Sequence, residues 1–259
     1  MKTNPKYLIA PTLMVVLLII FLSLLLPKGN TRETLALGDT AEGIAYLHSL
    51  EAKDPDEVET ILKEQRRQAR QALMESGELD VWAQLEDAVI MGDSRAVGFW
   101  YFDWMPQERV LGDAGHRIDL IPDYYDTLQG LNPAQVFLCY GVNDIGIGYW
   151  PAPDLYAAAM DEAVRELQEV LPEADIYVCA TQRVKEPGLS LNPVWHDIPE
   201  YNAVMKQMCA EKGHYYVDVD DMLEEYGSLW DPDGIHIQKS FYPYWAQRMA
   251  MAIYDYEGE

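Results

Sequence analysis

Four short segments of the sequence carry the residue types that nucleophilic attack on a carbonyl needs. In chain order they are Gly92-Asp93-Ser94, Gly115, Gly141-Val142-Asn143-Asp144 and Asp233-Gly234-Ile235-His236. A serine hydroxyl becomes a nucleophile when a base takes its proton, and histidine is the most common base. An aspartate close to that histidine can orient the imidazole and stabilise its charged form. The sequence therefore contains a candidate nucleophile, a base, its orienting acid and donors for an oxyanion.

Each segment, taken alone, also has a simpler structural explanation. Ser94 follows a predicted strand and could serve only as the N-cap of the next helix, a frequent role for serine. The residues around Asp233 have turn chemistry, which is compatible with a rigidly held Asp233–His236 pair. The other histidines lack an acid at the matching place, and His116 is expected to have a packing or surface role; these histidines are His48, His116, His196 and His214.

The segments follow apolar runs that predict a parallel sheet. Strands are predicted over Ala88–Met91, Arg109–Leu111, Gln135–Tyr140, Asp175–Ala180 and Tyr215–Val219. These runs are apolar nearly throughout, as expected for parallel strands covered on both faces. Helices are predicted over Ile118–Leu128, Pro153–Leu171, Pro199–Lys212 and Phe241–Tyr254. This alternation predicts an α/β fold, a three-layer α/β/α sandwich in which ligands bind at the carboxyl ends of the strands.

The four segments, in this order, resemble the four sequence blocks of the SGNH (GDSL-like) hydrolases. The resemblance covers about residues 87–254, and it implies a flavodoxin-like fold with a five-stranded parallel sheet. It also implies ester hydrolysis or acyl transfer by a serine. In that case Ser94 is the nucleophile, His236 is the base and Asp233 is the acid that orients it.

The resemblance further implies an oxyanion hole with three donors. These are the backbone N–H groups of Ser94 and Gly115 and the side-chain amide of Asn143. Gly112 is a rival for the second position, and Gly115 is preferred because a helix-like segment begins just after it. Glycine at this position also permits close approach of the backbone to a substrate.

Other residues near these segments receive less direct assignments. Asp93 and Asp144 are expected to hold their loops through hydrogen bonds. Arg95 stands where the family pattern Gly-Asp-Ser-Leu has leucine, and it is expected to face solvent or to pair with an acid. The departure weakens any inference to a lipid substrate.

The loop over residues 181–198 is expected to shape specificity, because long loops at the carboxyl end of a strand often do so. Arg183 and Trp195 in this loop are the predicted substrate-binding residues. Trp195 and Trp150 could stack on a sugar ring or could serve in packing.

Composition limits the kinds of partner. The chain has 259 residues and a formal net charge of −24, which argues against nucleic acid and against a polybasic grip on anionic lipid. Cys139, Cys179 and Cys209 lack the spacing of a disulfide framework or a zinc site, and buried inert thiols are expected. No metal or cofactor is predicted, because no ligand spacing recurs.

The N-terminal segment has the pattern of a membrane anchor. Residues 7–26 are almost wholly apolar and uncharged, about the ~20 residues that a spanning helix needs. Lys2 and Lys6 precede them, so the positive-inside rule places the remainder of the chain outside the cytoplasm. We therefore expect an uncleaved signal anchor over residues 1–29, a linker and helical stalk over 30–85, and a catalytic domain over 86–259. Within the stalk, helices are predicted over Ala41–Leu50 and from Asp54 to near Gly77.

These observations lead to an expected function with open alternatives. The expectation is a membrane-anchored, extracytoplasmic esterase that removes acyl groups, acetyl in the first instance, from a cell-envelope glycan. An O-acyltransferase with the same three residues, a lysophospholipase, and a non-catalytic envelope-binding module are the alternatives. The expected partners are an acyl ester or acylated glycan and the membrane; the oligomeric state is left open.

Overall fold

The computed structural model describes residues 55–256 together with positions 44, 46 and 48. Those three positions are helical, in agreement with the helix predicted over Ala41–Leu50. The predicted membrane anchor lies outside the described residues. Within them, no helix combines the length and the apolar character that crossing a membrane requires. The chain divides into two compact units, with the boundary between Leu62 and Lys63.

The second unit contains the predicted sheet. Its strands are β1 (Ala88–Gly92), β2 (Val110–Gly112), β3 (Gln135–Cys139), β4 (Asp175–Cys179) and β5 (Tyr215–Val217). All neighbours pair in parallel, and the spatial order is β2-β1-β3-β4-β5. The five-stranded parallel sheet is confirmed, and its order is that of flavodoxin-like folds.

Helices connect and cover these strands. The α-helices are α1 (Pro55–Glu75), α2 (Val81–Gln84), α3 (Ser94–Tyr101), α4 (Tyr125–Leu131), α5 (Val142–Gly146), α6 (Pro153–Val170), α7 (Gly188–Leu191), α8 (Ile198–Lys212), α9 (Met222–Tyr226) and α10 (Tyr242–Tyr256). Short 3-10 helices occur at Gln107–Arg109, Ile118–Tyr124, Pro193–Asp197, Gly227–Leu229 and Lys239–Phe241. The helix predicted over Ile118–Leu128 is therefore a 3-10 segment followed by α4. Pro122 lies inside the 3-10 segment and has no N–H for a regular α-helical bond.

The strands divide the core into two layers. Side chains of successive strand residues point to opposite faces, so Ile90 packs in one apolar cluster and Val89 in the other. Trp245 of α10 belongs to the first cluster. Leu167 of α6 and Met205 of α8 belong to the second. Because both faces are covered by helices, the strands are apolar nearly throughout, as the sequence pattern indicated.

The register of the sheet brings the polar segments to one edge. Gly92 pairs with Gly112 of β2 and with Cys139 of β3, so these three strands end level with one another. Ser94, Gly115 and Asn143 each follow one of these ends within a few residues. The fold therefore gathers the segments that follow β1, β2 and β3 at the carboxyl edge of the sheet.

Candidate active site

A chain of two hydrogen bonds joins Ser94, His236 and Asp233. Ser94 Oγ lies 3.1 Å from His236 Nε2, and His236 Nδ1 lies 2.6 Å from Asp233 Oδ2. A carboxylate can only accept, so Nδ1 carries the proton and Nε2 is left to accept from the serine hydroxyl. These are the distances and the tautomer that a general base acting on serine needs.

The turn that carries Asp233 holds its carboxylate in place. Asp233 Oδ1 accepts the backbone N–H groups of Ile235 and His236 at 2.8 and 2.9 Å. Burial raises the pKa of Asp233, but the hydrogen bonds from the His236 ring and from these two N–H groups outweigh it and lower the pKa below its ordinary value. Gly234 has φ +73°, and a Cβ there would lie 2.2 Å from the carbonyl oxygen of Lys185. The turn therefore requires glycine at its centre and keeps the acid ionised beside the imidazole.

Ser94 begins helix α3 and does not cap it. The cap is Asp93, whose Oδ1 accepts the N–H of Arg95 at 2.9 Å. The alternative of Ser94 as an N-cap is therefore wrong, and the loop-holding role expected for Asp93 is confirmed. As the first residue of the helix, Ser94 has an N–H group without an intrahelical acceptor. That N–H and the hydroxyl belong to the same residue, so the oxygen of a carbonyl attacked by this hydroxyl would lie close to this donor.

The other predicted donors lie on the neighbouring loops. Asn143 Nδ2 donates to the carbonyl oxygen of His116 at 3.2 Å, which fixes the carboxamide and leaves its second N–H for another acceptor. Gly115 has φ +79°, and a Cβ there would meet no atom within 4 Å. At Gly112, by contrast, a Cβ would lie 1.9 Å from the carbonyl oxygen of Gly92, so Gly112 is packed against β1. The open position of Gly115 supports its preference over Gly112 as an oxyanion donor, which stays a prediction.

His116 is a packing residue, as expected. It is 8% exposed, and its Nδ1 lies 3.3 Å from the hydroxyl of Tyr140. Burial lowers the pKa of His116, although nearby carboxylates oppose this effect. The side chain therefore supports the loop whose carbonyl orients Asn143.

Asp144 holds the same edge from inside the protein. Its Oδ1 accepts the N–H of Ile118 at 3.0 Å and so ties α5 to the segment after β2, as expected of this residue. Its Oδ2 is buried without a hydrogen-bond partner among the described residues. Burial raises the pKa of Asp144 to about 7; the Ile118 N–H opposes the rise, and the charge of Asp93 adds to it.

We expect replacement of Asp144 by asparagine to remove a loss of stability at higher pH. A carboxyl whose pKa is higher in the folded chain contributes stability that is complete below the unfolded pKa, near 3.8, and is lost as the pH rises through about 7. The difference between a pKa near 3.8 and one of about 7 corresponds to roughly 4 kcal/mol. Asparagine stays neutral and keeps an acceptor for Ile118. In urea unfolding, the free energy of unfolding of Asp144→Asn should therefore rise relative to that of the wild type, by up to this amount, as the pH increases.

The control for this prediction is Asp126→Asn, which changes an exposed carboxylate on α4. Its unfolding free energy should differ from that of the wild type by an amount that does not grow over the same pH interval. A difference for Asp144→Asn that is independent of pH would contradict the assignment.

The structure places Trp195 and Arg183 in contacts within the protein. Trp195 Nε1 donates to the carbonyl oxygen of Val142 at 2.8 Å. Arg183 forms ion pairs with Asp220 and with Glu224, and the hydrogen bond to Asp220 is the main cause of its raised pKa. Neither residue lines the cavity to which both Ser94 and His236 contribute, which is described below. Their predicted role in substrate binding stays a prediction, and the geometry supplies only structural contacts for them.

Arg95 does not face solvent. It is 3% exposed, and its Nη1 donates to the backbone carbonyl of Gln182 in the loop after β4. Burial lowers the pKa of Arg95, and the carboxylate of Asp93 is the largest opposing influence. Burial likewise raises the pKa of Asp93 against the effect of Arg95. Arg95 therefore joins the nucleophile segment to a second loop at the same edge, which its polar character did not predict.

A cavity beside Ser94 brings together residues that the sequence did not single out. Tyr101, Phe102 and Asp231 line it together with Ser94 and His236. The available signal was the aromatic run that ends α3, because Tyr101 lies about two helical turns after the nucleophile on the same helix. Asp231 carried no signal of its own, since its proximity depends on the tertiary fold.

A second Asp–His pair joins helix α6 to the residue that precedes β5. His214 Nε2 lies 2.7 Å from Asp161 Oδ1. His214 directly precedes β5, so this pair lies at the amino edge, opposite the edge that carries Ser94. In the part of the chain that the structure describes, no cluster of three or more histidine, cysteine or acidic side chains could hold a metal ion. All three cysteines are buried free thiols, as expected.

Several solved structures are similar to this one. An acetyl xylan esterase, AlAXEase, superposes with a TM-score of 0.51 at 18% identity, over 64% of this chain and 99% of its own. The lipase/acylhydrolase from Enterococcus faecalis gives 0.50 at 14% identity, over 64% and 94%. An acetylxylan esterase from Geobacillus stearothermophilus gives 0.49 at 18% identity, over 64% and 93%. No curated protein matches this chain in sequence.

The sequence itself identifies the family. Residues 90–242 match the GDSL-like Lipase/Acylhydrolase family. This range contains all four polar segments and the whole parallel sheet except the first residues of β1. The chain therefore belongs to the GDSL-like lipase/acylhydrolase family, and it is an ester hydrolase.

Proposed function

We propose that this chain is a membrane-anchored, extracytoplasmic serine esterase that removes short acyl groups, acetyl in the first instance, from hydroxyl groups of a cell-envelope glycan. Ser94, His236 and Asp233 are the proposed catalytic residues. The observation that carries the proposal is the pair of hydrogen bonds of 3.1 and 2.6 Å that links them at the carboxyl edge of the sheet.

In the first half of the reaction Ser94 Oγ attacks the ester carbonyl carbon, and its proton passes to His236 Nε2. The carbonyl oxygen becomes an oxyanion, for which Ser94 N–H, Gly115 N–H and Asn143 Nδ2 are the proposed donors. The ester C–O bond then breaks, and His236 gives its proton to the departing alcohol. Asp233 keeps the imidazole oriented and stabilises its charged form. The product of this half is an acyl group on Ser94.

In the second half a water molecule attacks the acyl-serine while His236 takes one of its protons. The C–O bond to Ser94 Oγ breaks, and the proton returns from His236 to that oxygen. The acid leaves and the free serine is restored. An acyl acceptor other than water would turn the same chemistry into acyl transfer, so the product distinguishes the two activities.

Support for the substrate class comes from similar proteins and from the sequence. The similar structure with a TM-score of 0.51 is that of an acetyl xylan esterase, and the acetyl group and the glycan of the proposal follow this likeness. The apolar residues 7–26 and the preceding lysines support the membrane anchor. The buried Arg95 replaces the leucine of the lipase-like pattern and so gives no support to a lipid substrate.

A fluorophosphonate probe and an acetate assay test the proposal together. The full-length protein in detergent should form one covalent adduct, which peptide mass analysis should locate on Ser94. It should release acetate from an acetylated glycan faster than it releases fatty acid from lysophospholipid. A folded protein that neither reacts with the probe nor releases acetate would refute the proposal. Transfer of the acetyl group to an added glycan would identify an acyltransferase.

We expect Asn143→Ala to lower kcat about 10²–10³-fold, because it removes one donor to the oxyanion. The probe should still label Ser94, at a reduced rate, since the nucleophile and base remain. KM should change little. Asn132→Ala alters an asparagine at the end of α4 and serves as the control, with kcat expected to stay near the wild-type value. An unchanged kcat in Asn143→Ala would remove Asn143 from the proposed oxyanion hole.

A further inference from the structure

The cavity beside Ser94 has two walls. One wall is formed by α3 and the residue after it, with Val97, Tyr101 and Phe102, and the other by the segment with Asp231 and His236; Tyr242 of α10 also lines the cavity. Its volume is about 180 Å³, that of about six water molecules at ~30 Å³ each. Both Ser94 and His236 contribute to the lining, so a group bound in this cavity touches the two reacting side chains.

The position of the oxyanion donors decides which part of an ester fits this cavity. Gly115 and Asn143 do not line it, and Asn143 is held by its bond to the carbonyl of His116 on the other loop. The carbonyl oxygen of a bound ester therefore points away from the cavity. His236 Nε2 must deliver a proton to the departing oxygen, so that oxygen lies on the His236 side of Ser94. The cavity is on that side.

The lining chemistry suits a ring with polar edges. Tyr101 is 67% exposed. Its ring packs edge-on against the ring of Phe102, with the ring centroids 5.0 Å apart. Its electron-rich face can attract the polarised C–H groups of a sugar ring. Asp231 is held by its N–H bond to the carbonyl oxygen of His236 at 2.8 Å, and its carboxylate can accept from sugar hydroxyls.

We propose that this cavity binds the alcohol part of the ester, that this alcohol is a sugar ring, and that Tyr101 stacks on it. The inference rests on the proposed function of Ser94 and His236. It assigns the substrate contact to α3 and to the segment before His236, and it does not involve Trp195 or Arg183. Tyr101 and Asp231 are thus specificity-determining residues for the alcohol.

Two esters with the same acyl group test the assignment on the full-length protein in detergent. A monoacetylated methyl pyranoside has a sugar as its alcohol, and ethyl acetate has a small one. Tyr101→Ala should lower kcat/KM for the sugar ester about 3- to 10-fold and mostly through KM. For ethyl acetate and for fluorophosphonate labelling the rates should stay within about 2-fold of the wild type. Tyr101→Phe should keep the wild-type ratio, because the ring face remains.

Tyr244→Ala is the matched control, since it removes another partly exposed tyrosine that does not line the cavity. It should leave both esters unaffected. An equal loss for both esters in Tyr101→Ala, or a loss that follows acyl chain length from acetate to butyrate, would overturn the inference. Absence of labelling and turnover in the wild type would instead refute the proposed function, so the two failures are distinguishable.

Discussion

Ser94→Ala is expected to lower kcat for ester hydrolysis about 10⁶-fold, the largest effect of any single change considered for this chain. The substitution removes the atom that forms the acyl intermediate, and His236 then has no hydroxyl 3.1 Å away from which to take a proton. Residual turnover relies on the oxyanion donors and on substrate binding alone. Fluorophosphonate labelling should disappear completely. Acetate release and adduct mass are the two measurements.

Folding is not expected to limit this result. The contact between Ser94 Oγ and His236 is between partly buried groups, and alanine suits the first turn of α3. The melting temperature of Ser94→Ala should therefore stay close to that of the wild type. Ser76→Ala, at an exposed serine that follows α1, is the control and should keep full activity. Labelling or turnover above about one part in 10³ in Ser94→Ala would show that another nucleophile acts.

The sheet could be predicted from the sequence because its physical cause is local. A parallel strand covered by helices on both faces is apolar along its buried part, and the buried run from Val136 to Cys139 in β3 satisfies this condition. Turn chemistry is equally local, so Asp233 and His236 could be paired from their spacing. Short helices such as α5 could not be predicted, because five residues contain too little periodicity.

Contacts between distant segments limited the prediction of the site. The sequence predicts that Arg95 faces solvent or pairs with an acid, whereas its side chain is buried and donates to the carbonyl of Gln182, 87 positions away. Arg183 is predicted from the sequence to bind substrate, and its ion pairs with Asp220 and Glu224 could not be read from its place in the loop. Sequence gives the type of each residue and its element, but which charge meets which partner is decided by the packing of loops. Ser94, His236 and Asp233 could be proposed as partners because the four segments, in their order, resemble the sequence blocks of a hydrolase family.

Burial shifts the pKa values of three charged residues at this edge of the sheet, which are Asp93, Arg95 and Asp144. Burial raises the pKa of Asp93 and Arg95 opposes this rise, while the charge of Asp93 adds to the rise that burial causes at Asp144. Asp233, on the more open loop, has a lowered pKa because His236 donates to it. Asp93 and Asp144 therefore hold loops through backbone hydrogen bonds, whereas Asp233 binds the imidazole of His236. Of these three acids, only Asp233 accepts a hydrogen bond from the ring of His236.

Asp233→Asn is expected to lower kcat about 10⁴-fold while KM changes little. The side-chain oxygen of asparagine can still accept the N–H groups of Ile235 and His236, so the turn is preserved. Its amide group, however, would replace Asp233 Oδ2, which now accepts from His236 Nδ1. The imidazole then favours the tautomer with its proton on Nε2, and this nitrogen cannot accept the proton of Ser94. The kcat from steady-state kinetics and the rate of fluorophosphonate labelling should fall in parallel.

Asp161→Asn supplies a control with the same chemistry at another place. It also converts the acid of an Asp–His hydrogen bond to an amide, but this pair lies at the amino edge of the sheet. Some loss of stability is expected, since both side chains are about 15% exposed or less, and kcat should stay near the wild-type value. If both substitutions lowered kcat equally, the effect would come from general loss of an Asp–His bond. A loss confined to Asp233→Asn would arise because only that carboxylate sets the tautomer of the histidine that faces Ser94.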